Sequence, residues 1–200
     1  MARILLVRHA PTPETGTRLT GRNPGVSLGE AGEEAALATS QVLAGLALQA
    51  VYSSPIERTL ETACIVARPH GLSPILEPGL TEIDFGCWTG KDLDDLRHNE
   101  HWRTVQLNPA RFRFPAGESF VEAQTRAVAS VERITEDLGD GTAVAVSHSD
   151  VIKLVLAYYL GQPLDLFQRL RIAPASISDL RLEKNRPPWI GSINTLVLDR

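Results

Sequence analysis

The sequence contains few cysteines and no leader-like N-terminus. Its two cysteines, Cys64 and Cys87, are too few for the disulfide framework that stabilises many small secreted proteins. Apolar residues flank both of them, and we therefore expect reduced thiols in or near the core. The N-terminal residues lack the long apolar run and the small-residue cleavage site of a secretory signal. We expect a cytoplasmic protein.

Excess positive charge and long apolar runs are also absent. The formal net charge is −4 at pH 7, which argues against nucleic acid or a membrane surface as a partner. Arg68 or Lys153 interrupts the longest apolar runs, which fall short of the roughly 20 residues that span a bilayer. A small anion remains a reasonable ligand, because a few arginines can form a positive pocket in an acidic protein.

The rest of the composition is that of a globular protein. Hydrophobic residues make up 43% of the chain and charged residues 22%, which is an ordinary balance for a folded domain. A chain of 200 residues fits one domain of common size. We expect a single domain over residues 1–200, with residues of about 79–118 as an excursion of helices and loops over the site. A homodimer is compatible with this sequence.

The hydrophobic pattern alternates between strand-like and helix-like segments. Short β-branched runs predict strands, and apolar residues at helical spacing predict helices between them. Ser119 and Glu122 form a capping-box signature at the start of one helix. The predicted strands are 3–8, 51–54, 75–76, 142–147, 177–183 and 192–198, and the main helices are 29–48, 56–67, 119–138 and 150–160. This order predicts a three-layer α/β sandwich with a mostly parallel central sheet flanked by helices.

Polar residues follow three of the predicted strands. His9 comes directly after the first strand, Ser54 ends the second, and His148 follows the strand at 142–147. Functional groups of open α/β sheets gather beyond the carboxyl ends of the strands. We therefore expect these side chains to converge on one edge of the sheet.

Two cationic elements in this set could bind phosphate. Arg8 and His9 could hold a phosphate group, and a neutral imidazole nitrogen can attack phosphorus. Taken alone, such a pair is more often a strand end without a role. Arg58 stands in the first turn of a predicted helix, where a cation opposes the helix dipole. A bound anion would explain it, and so would an i,i+3 pair with Glu61.

A carboxylate and a second histidine complete the candidate set. Glu82 and Asp84 lie among apolar residues, where burial would raise a carboxyl pKa and allow proton donation to a leaving oxygen. His148, if protonated, would add a further cation to a phosphate pocket. Taken singly, these residues are also typical of a surface carboxylate and of a structural histidine.

Together, and in this order, these elements resemble the motifs of the histidine phosphatase superfamily, the phosphoglycerate-mutase-like group. The resemblance covers nearly the whole chain, and the conjunction is specific although each piece is weak. The matching residues are Arg8-His9, Gly21-Arg22, Leu28 with Gly32, Ser53-Ser54-Pro55 with Arg58-Thr59 and Glu61-Thr62, Glu82 with Phe85-Gly86, Trp88 with Gly90, Pro115 with Gly117-Glu118-Ser119, and Ser147-His148.

The resemblance implies a role for each matching residue. His9 would be the nucleophile and Glu82 the proton donor, and the phosphate pocket would consist of Arg8, Arg58 and His148. The substrate contacts would be Thr12, Arg22 and Ser149. The substrate would be a small phosphorylated metabolite, and neither a metal nor an organic cofactor is expected.

Some positions depart from the family pattern. Ala10 and Ser149 stand where glycine is usual, and Thr15 replaces a frequent asparagine. The added methyl group of Ala10 would tighten the pocket or shift the loop. These departures concern the choice of substrate more than the reaction. Residues 150–153 and 164–169 resemble a bacterial group of probable phosphomutases.

Other phosphate chemistries fit the sequence poorly. A cysteine phosphatase needs an arginine six residues after its cysteine, where this chain has His70 and Leu93. The segment 86–92 has the wrong spacing for a P-loop. His98 and His101 could form half of a metal site, or a solvated helix face.

Three hypotheses therefore remain. The first is a metal-independent phosphatase, which the short chain and the acid motif favour. The second is a phosphomutase of the phosphoglycerate type, and the third is a catalytically silent phospholigand-binding protein. Arg111 and Arg113 would either line the mouth of the site and favour a second anionic group, or lie in a solvated basic loop.

Overall fold

A six-stranded mixed sheet forms the centre of the computed structural model, which describes residues 1–196. The strands lie in the order β3-β2-β4-β1-β5-β6. The four strands β3, β2, β4 and β1 are parallel, and β5 and β6 continue the sheet antiparallel. Their bounds are β1 Ala2–Arg8, β2 Ala50–Ser53, β3 Ile75–Leu76, β4 Thr142–Ser147, β5 Ile177–Leu182 and β6 Trp189–Thr195.

Helices cover both faces of this sheet. Helices α1 and α2 pack against each other on one face, and α5 and α6 do so on the other. Two shorter helices, α3 and α4, belong to the excursion between β3 and α5. The bounds are α1 Glu30–Leu43, α2 Glu57–Ala67, α3 Leu93–Arg97, α4 Trp102–Leu107, α5 Phe120–Leu138 and α6 Ser149–Tyr159. The predicted three-layer α/β sandwich is confirmed.

Strand β1 shows why the sheet needs two covering layers. Its side chains alternate between the faces, and both sets are apolar. Ile4 and Leu6 join the core under α5 and α6, whereas Leu5 and Val7 join the core under α1 and α2. All four are at most 2% exposed. A strand that is apolar on both faces is typical of the centre of a parallel sheet.

An aromatic cluster packs the excursion onto the sheet. The ring of Phe114 meets those of Phe85 and Phe112 edge to face, with centroids 5.0 Å apart in each pair, a favourable geometry. Phe120, at the start of α5, lies 5.3 Å from Phe114. The excursion therefore shares the core of α5 and α6. The expectation of one domain over the whole chain stays a prediction.

The strand register brings the carboxyl ends of three strands to one level. Arg8 of β1 pairs with Ser147 of β4, and Ser53 of β2 pairs with Val146. The next residues continue these ladders, since the amide of His9 donates to the carbonyl of Ser147 at 2.9 Å. His9, Ser54 and His148 consequently leave the sheet side by side, as predicted.

Several element boundaries and both cysteines differ from the predictions. Helix α1 ends at Leu43 rather than 48, because the chain turns at Gly45 and packs Leu46 against the core. Strand β6 begins at Trp189 rather than 192, and the predicted strand residues 197–198 lie outside the described residues.

The prediction of core thiols was wrong, since Cys64 and Cys87 are both free and exposed. Cys64 lies on the outward face of α2, and in the turn of residues 86–88 only Trp88 is buried. Within residues 1–196, no helix combines the length and the apolar character needed to cross a membrane.

Candidate active site

A cavity of about 210 Å³ opens beyond the carboxyl ends of the strands. Side chains from β1, α2, the excursion and the start of α6 meet there, together with the loop that follows β1. The lining residues are Arg8, His9, Thr12, Thr15, Gly16, Arg18, Leu19, Thr20, Gly21, Arg58, Glu82, Phe85, Leu93, Ser149 and Asp150. Most of the polar residues predicted for the site are therefore in one place.

His9 is held in its neutral form with one nitrogen available. Its Nδ1 lies 2.8 Å from the carbonyl oxygen of Ala10, which can only accept, so Nδ1 carries the hydrogen and Nε2 the lone pair. Burial first, and then the charges of Arg58 and Arg8, lower the pKa of His9 to about 3. An unprotonated Nε2 is the state that a nucleophile requires.

Two arginines surround this nitrogen with buried donors. Arg58, 2% exposed, donates from Nε to His9 Nε2 at 3.3 Å and from Nη2 to the carbonyl of Gly21 at 2.8 Å. Arg8 donates from Nη1 to the carbonyl of Ile172 at 2.7 Å. Within residues 1–196, Arg58 Nη1 and Arg8 Nε are buried without a hydrogen-bond partner. Buried donors of this kind are costly unless a ligand satisfies them.

His148 lies directly behind Arg58 and is fully buried. Arg58 Nη2 can only donate, so His148 Nδ1 accepts across 3.1 Å and His148 Nε2 donates to Ser54 Oγ across 2.9 Å. Burial, followed by the charge of Arg58, holds the pKa of His148 well below its ordinary value. This environment favours the neutral form of His148, so the added cation expected from a protonated ring depends on a further change in its surroundings.

Glu82 has the properties of a carboxylic acid that can both donate and accept a proton near neutral pH. Burial raises its pKa to about 7, with Asp150 adding to the effect and Arg58 opposing it. One oxygen accepts from the amide of Ile83 at 2.9 Å, and the other lies 3.7 Å from His148 Nδ1. Burial of the Glu82 side chain, which is 12% exposed, agrees with the expectation that the pKa of this carboxyl is raised.

The other predicted contacts divide into two groups. Thr12 and Ser149 line the cavity, whereas Arg22 does not and instead donates to the carbonyl of Glu82. Arg111 and Arg113 are exposed and are not among the lining residues. Arg113 pairs with Glu122 and donates to the carbonyl of Gly117.

The methyl group of Ala10 does not narrow the cavity. It is fully buried and packs in a small cluster with Ala36 and Ala175. The amide of Ala10 donates to Thr62 Oγ1 at 3.1 Å. The departure from glycine at this position therefore affects the packing behind His9 rather than the lining.

Sequence reasoning missed two charged residues of the cavity. Arg18 and Asp150 both line it. Asp150 is paired with Lys153 at 3.0 Å. Arg18 is exposed and makes no ion pair with any described residue. A signal for Asp150 was present, since it follows the predicted His148 at the start of a helix. Arg18 lies in a loop whose side-chain directions the sequence does not specify.

The half metal site considered from the sequence is not completed. His98 Nδ1 lies 2.8 Å from the carbonyl of Asp94, and His101 lies beside Glu100. Across the part of the chain that the structure describes, no three His, Cys, Asp or Glu side chains are grouped to hold a metal ion.

The site combines a neutral histidine, two arginines whose buried donors find no partner among residues 1–196, and an acid of raised pKa. All of them lie at the carboxyl edge of an α/β sandwich. Together they define a phosphoryl-transfer class of site. The sequence comparison agrees with this class. Residues 4–195 match the histidine phosphatase superfamily (branch 1), and the chain belongs to that family. The resemblance noted from its motifs is thereby confirmed.

Relatives of the chain include both phosphatases and mutases by name. Phosphoserine phosphatase 1 of Hydrogenobacter thermophilus is 30% identical over 191 residues, covering 93% of this chain and 89% of that protein. The probable phosphoglycerate mutase GpmB of Erwinia tasmaniensis is also 30% identical over 194 residues, covering 96% and 89%. Among solved structures, YhfR of Bacillus stearothermophilus matches with a TM-score of 0.86 at 25% identity, covering 96% of each chain.

Proposed function

We propose that this protein is a metal-independent phosphatase that hydrolyses a small phosphate monoester through a phosphohistidine on His9. The observation that carries the proposal is the state of His9. Its Nδ1 is tied to the carbonyl of Ala10, its Nε2 is unprotonated, and buried donors of Arg8 and Arg58 surround the place where phosphate oxygens would lie.

In the first half-reaction His9 Nε2 attacks phosphorus as the bond to the leaving oxygen breaks. Arg8 and Arg58 bind the equatorial oxygens, whose negative charge they stabilise in the transition state. The protonated carboxyl of Glu82 gives its proton to the departing alkoxide, so that the product leaves as a neutral alcohol.

In the second half-reaction water attacks the phosphohistidine. The carboxylate of Glu82 takes a proton from this water, and the phosphorus–nitrogen bond breaks to restore the lone pair of His9. A pKa of about 7 suits both halves, because near neutral pH the acid and the base forms of Glu82 are both well populated.

His148 has a charge-balancing role in this scheme. It is neutral because of burial and the nearby Arg58, and it does not itself line the cavity. A phosphate dianion bound in the cavity favours the charged form, so the pKa of His148 rises on binding. The imidazolium then adds a third cation behind the two arginines.

The size and charge of the cavity favour a small substrate that carries a second negative group. Its volume of about 210 Å³ suits a phosphate carried on a short carbon chain better than a nucleotide. Arg18 at its edge is a cation without an ion pair among the described residues. Phosphoserine and 3-phosphoglycerate, which carry a carboxylate close to the phosphate, are therefore the proposed substrate class. The names of the relatives agree with this class.

The test is a phosphate-release screen with phosphoserine, 3-phosphoglycerate, sugar phosphates, nucleotides and α-ribazole phosphate, each with and without EDTA. We expect phosphate release from one of the two carboxylate-bearing esters, with no loss in EDTA. Activity that disappears in EDTA would overturn the metal-independent mechanism.

A time course on 3-phosphoglycerate separates hydrolysis from phosphomutase activity. Formation of 2-phosphoglycerate without free phosphate would identify a mutase, for which the likeness to a probable phosphoglycerate mutase is the supporting observation. No turnover of any ester, combined with tight phosphate binding, would instead identify a silent phospholigand-binding protein.

A further inference from the structure

The segment that carries Glu82 has no regular structure of its own. Residues 81–85 belong to neither a helix nor a strand, yet Glu82 is largely buried, with a side chain 12% exposed. Backbone groups in such a segment need hydrogen-bond partners from outside it. The position of a proton donor relative to the leaving oxygen depends on those partners.

Arg126 of α5 supplies most of them with one guanidinium group. Its Nη1 donates to the carbonyls of Gly79 at 2.8 Å and Thr81 at 2.7 Å, and its Nη2 donates to that of Glu82 at 3.1 Å. Its Nε and Nη2 also donate to the two carboxylate oxygens of Glu118, at 3.0 and 2.6 Å. These bonds engage all the donors that an arginine side chain possesses.

Glu118 completes the arrangement from the other end of the excursion. Its Oε1 accepts from the amide of Asp84 at 2.8 Å and from Arg22 Nη2 at 3.0 Å. Its own amide donates to the carbonyl of Asp84 at 3.0 Å. Arg22 Nε donates in turn to the carbonyl of Glu82 at 2.8 Å. Two guanidinium groups and one carboxylate thus hold the backbone on both sides of Glu82.

Contact with α5 leaves this backbone little freedom. A Cβ atom on Gly79 would lie only 1.7 Å from Ser130 Oγ and 2.9 Å from the carbonyl of Arg126. The carboxyl of Glu82 is fixed through the same backbone, because one of its oxygens accepts from the next amide, that of Ile83. A shift of residues 79–83 would therefore move the carboxyl itself.

We infer that Arg126 and Glu118, which do not line the cavity, are positioning residues that hold the carboxyl of Glu82 in place for proton transfer. The inference rests on the proposed function for its catalytic consequence. Its structural part concerns where Glu82 lies and how much water reaches it. Arg22 belongs to the same network, and its role is therefore to support the acid.

The variant Arg126→Lys tests this inference, since lysine keeps the charge but has one nitrogen in place of the five-donor fork. A displaced acid slows esters with poor leaving groups more than esters with good ones, because an aryl oxide leaves without a proton. We expect the ratio of kcat/KM for an alkyl phosphate to kcat/KM for para-nitrophenyl phosphate to fall by about tenfold to a hundredfold, because a displaced acid loses part of the 10²–10⁴-fold that general acid catalysis contributes.

A second measurement, the pKa of the Glu82 carboxyl, reports on the environment of Glu82 without any turnover of substrate. In protein with ¹³C-labelled glutamate carboxyls, assigned with Glu82→Gln, we expect the wild-type Glu82 signal to titrate with a raised pKa of about 7. Arg126→Lys admits water and lowers that pKa by one unit or more, since burial is its largest cause. The titratable groups that face Glu82 are left in place, namely Arg8, Arg58, His148 and Asp150.

Arg186→Lys is the matched control. Arg186 pairs with Glu183 at 3.4 Å, in the turn between β5 and β6, and this pair makes no hydrogen bond to residues 79–85 or to Glu118. We expect this control to leave both the pKa and the ratio unchanged. If Arg126→Lys fails to fold, Glu118→Gln weakens the same network with a smaller change.

An unchanged Glu82 pKa together with an unchanged ester ratio in folded Arg126→Lys would overturn the inference. Failure of the proposed function gives a different result from failure of this inference. A wild-type protein that releases phosphate from no ester defeats the proposed function, while the carboxyl titration still decides the positioning role.

Discussion

Arg58 Nε points at His9 Nε2 across 3.3 Å, so a permanent cation faces the atom proposed to attack phosphorus. Protonation of that nitrogen would place two positive charges side by side in a buried site, which adds to the cost of burial. Together with burial, which is the larger cause, the same arginine keeps His9 unprotonated. Its Nη1, which has no partner among residues 1–196, is the donor proposed to bind the phosphate.

Replacement of His9 tests the nucleophile directly. We expect His9→Gln to lower phosphate release on the order of a thousandfold or more, because the covalent route is lost. Wild-type protein mixed rapidly with a ³²P-labelled ester and quenched in base should yield labelled protein, and His9→Gln should yield none. Equal labelling of the two proteins would place the phosphate on another residue.

The pH dependence of kcat/KM on an alkyl ester reports the acid, because kcat/KM covers only the steps up to release of the leaving group. Glu82 has a raised pKa of about 7, and only its protonated form can donate to the leaving oxygen. We expect kcat/KM to fall as the pH rises through this value. Glu82→Gln should reduce kcat/KM by about 10²–10⁴-fold on alkyl esters and much less on para-nitrophenyl phosphate. Equal losses on both esters would contradict a proton-donor role.

Glu82 should also lower stability at high pH. Its folded pKa is raised from 4.5 to about 7, so its contribution is complete below the unfolded value and is lost as the pH rises through the folded one. Relative to the wild type, Glu82→Gln should gain up to about 3 kcal/mol in free energy of unfolding between pH 4.5 and 8. Urea titrations at several pH values measure this, with the exposed Glu136→Gln as the control. A constant difference across the pH range would show that Glu82 does not titrate in this way.

An anion should change the protonation of His148. Without a ligand its pKa is held well below the ordinary value by burial and by Arg58, so its ring should stay neutral in an NMR titration through neutral and mildly acidic pH. Saturating sulfate, a dianion that does not itself titrate there, should raise that pKa by at least one unit. The signal is assigned with His148→Asn, and the exposed His98 and His101, which lie outside the cavity lining, serve as internal references. Insensitivity to sulfate would remove His148 from the phosphate pocket.

Arg18 should discriminate between substrates by their carboxylate. Phosphoserine and phosphoethanolamine differ by this group, so Arg18→Gln should raise KM for the first by about three- to tenfold, which is modest because the side chain is exposed. The second should be unaffected. Arg111→Gln removes an exposed arginine outside the cavity lining and is the matched control. Equal effects of Arg18→Gln on both esters would show that Arg18 does not read the carboxylate.

The features that depend on local sequence or on strand topology could be predicted from the sequence. The capping box of Ser119 and Glu122 forms as predicted, because it depends only on residues three apart. The convergence of His9 and His148 followed from a general property of parallel sheets, and it needed no knowledge of any contact. The meeting of these residues could therefore be predicted before their distances were known.

Groups fixed by tertiary packing escaped prediction. Arg126 lies between Ala123 and Ala127, which are both fully buried, and an arginine among inward-facing positions was a signal that was not used. Exposed Cys64 and Cys87 show the opposite error, since apolar neighbours in sequence do not determine which way a side chain faces. The neutral state of His148 depends on its burial and then on the charge of Arg58, and both follow from the tertiary structure rather than from any spacing in the sequence.

The bond between Asp84 and Glu118 has a consequence for how this architecture can vary. The amide of Glu118 donates to the carbonyl of Asp84 at 3.0 Å, so residues 85–117 form a loop whose two ends are joined next to Glu82. Phe85 and Leu93, within that loop, line the cavity. Insertions or deletions in this loop would change the cavity lining, while the bond between Asp84 and Glu118 would keep Glu82 in place. The support of Glu82 and the cavity wall formed by Phe85 and Leu93 thus depend on different contacts, so that a change in the wall need not displace the acid.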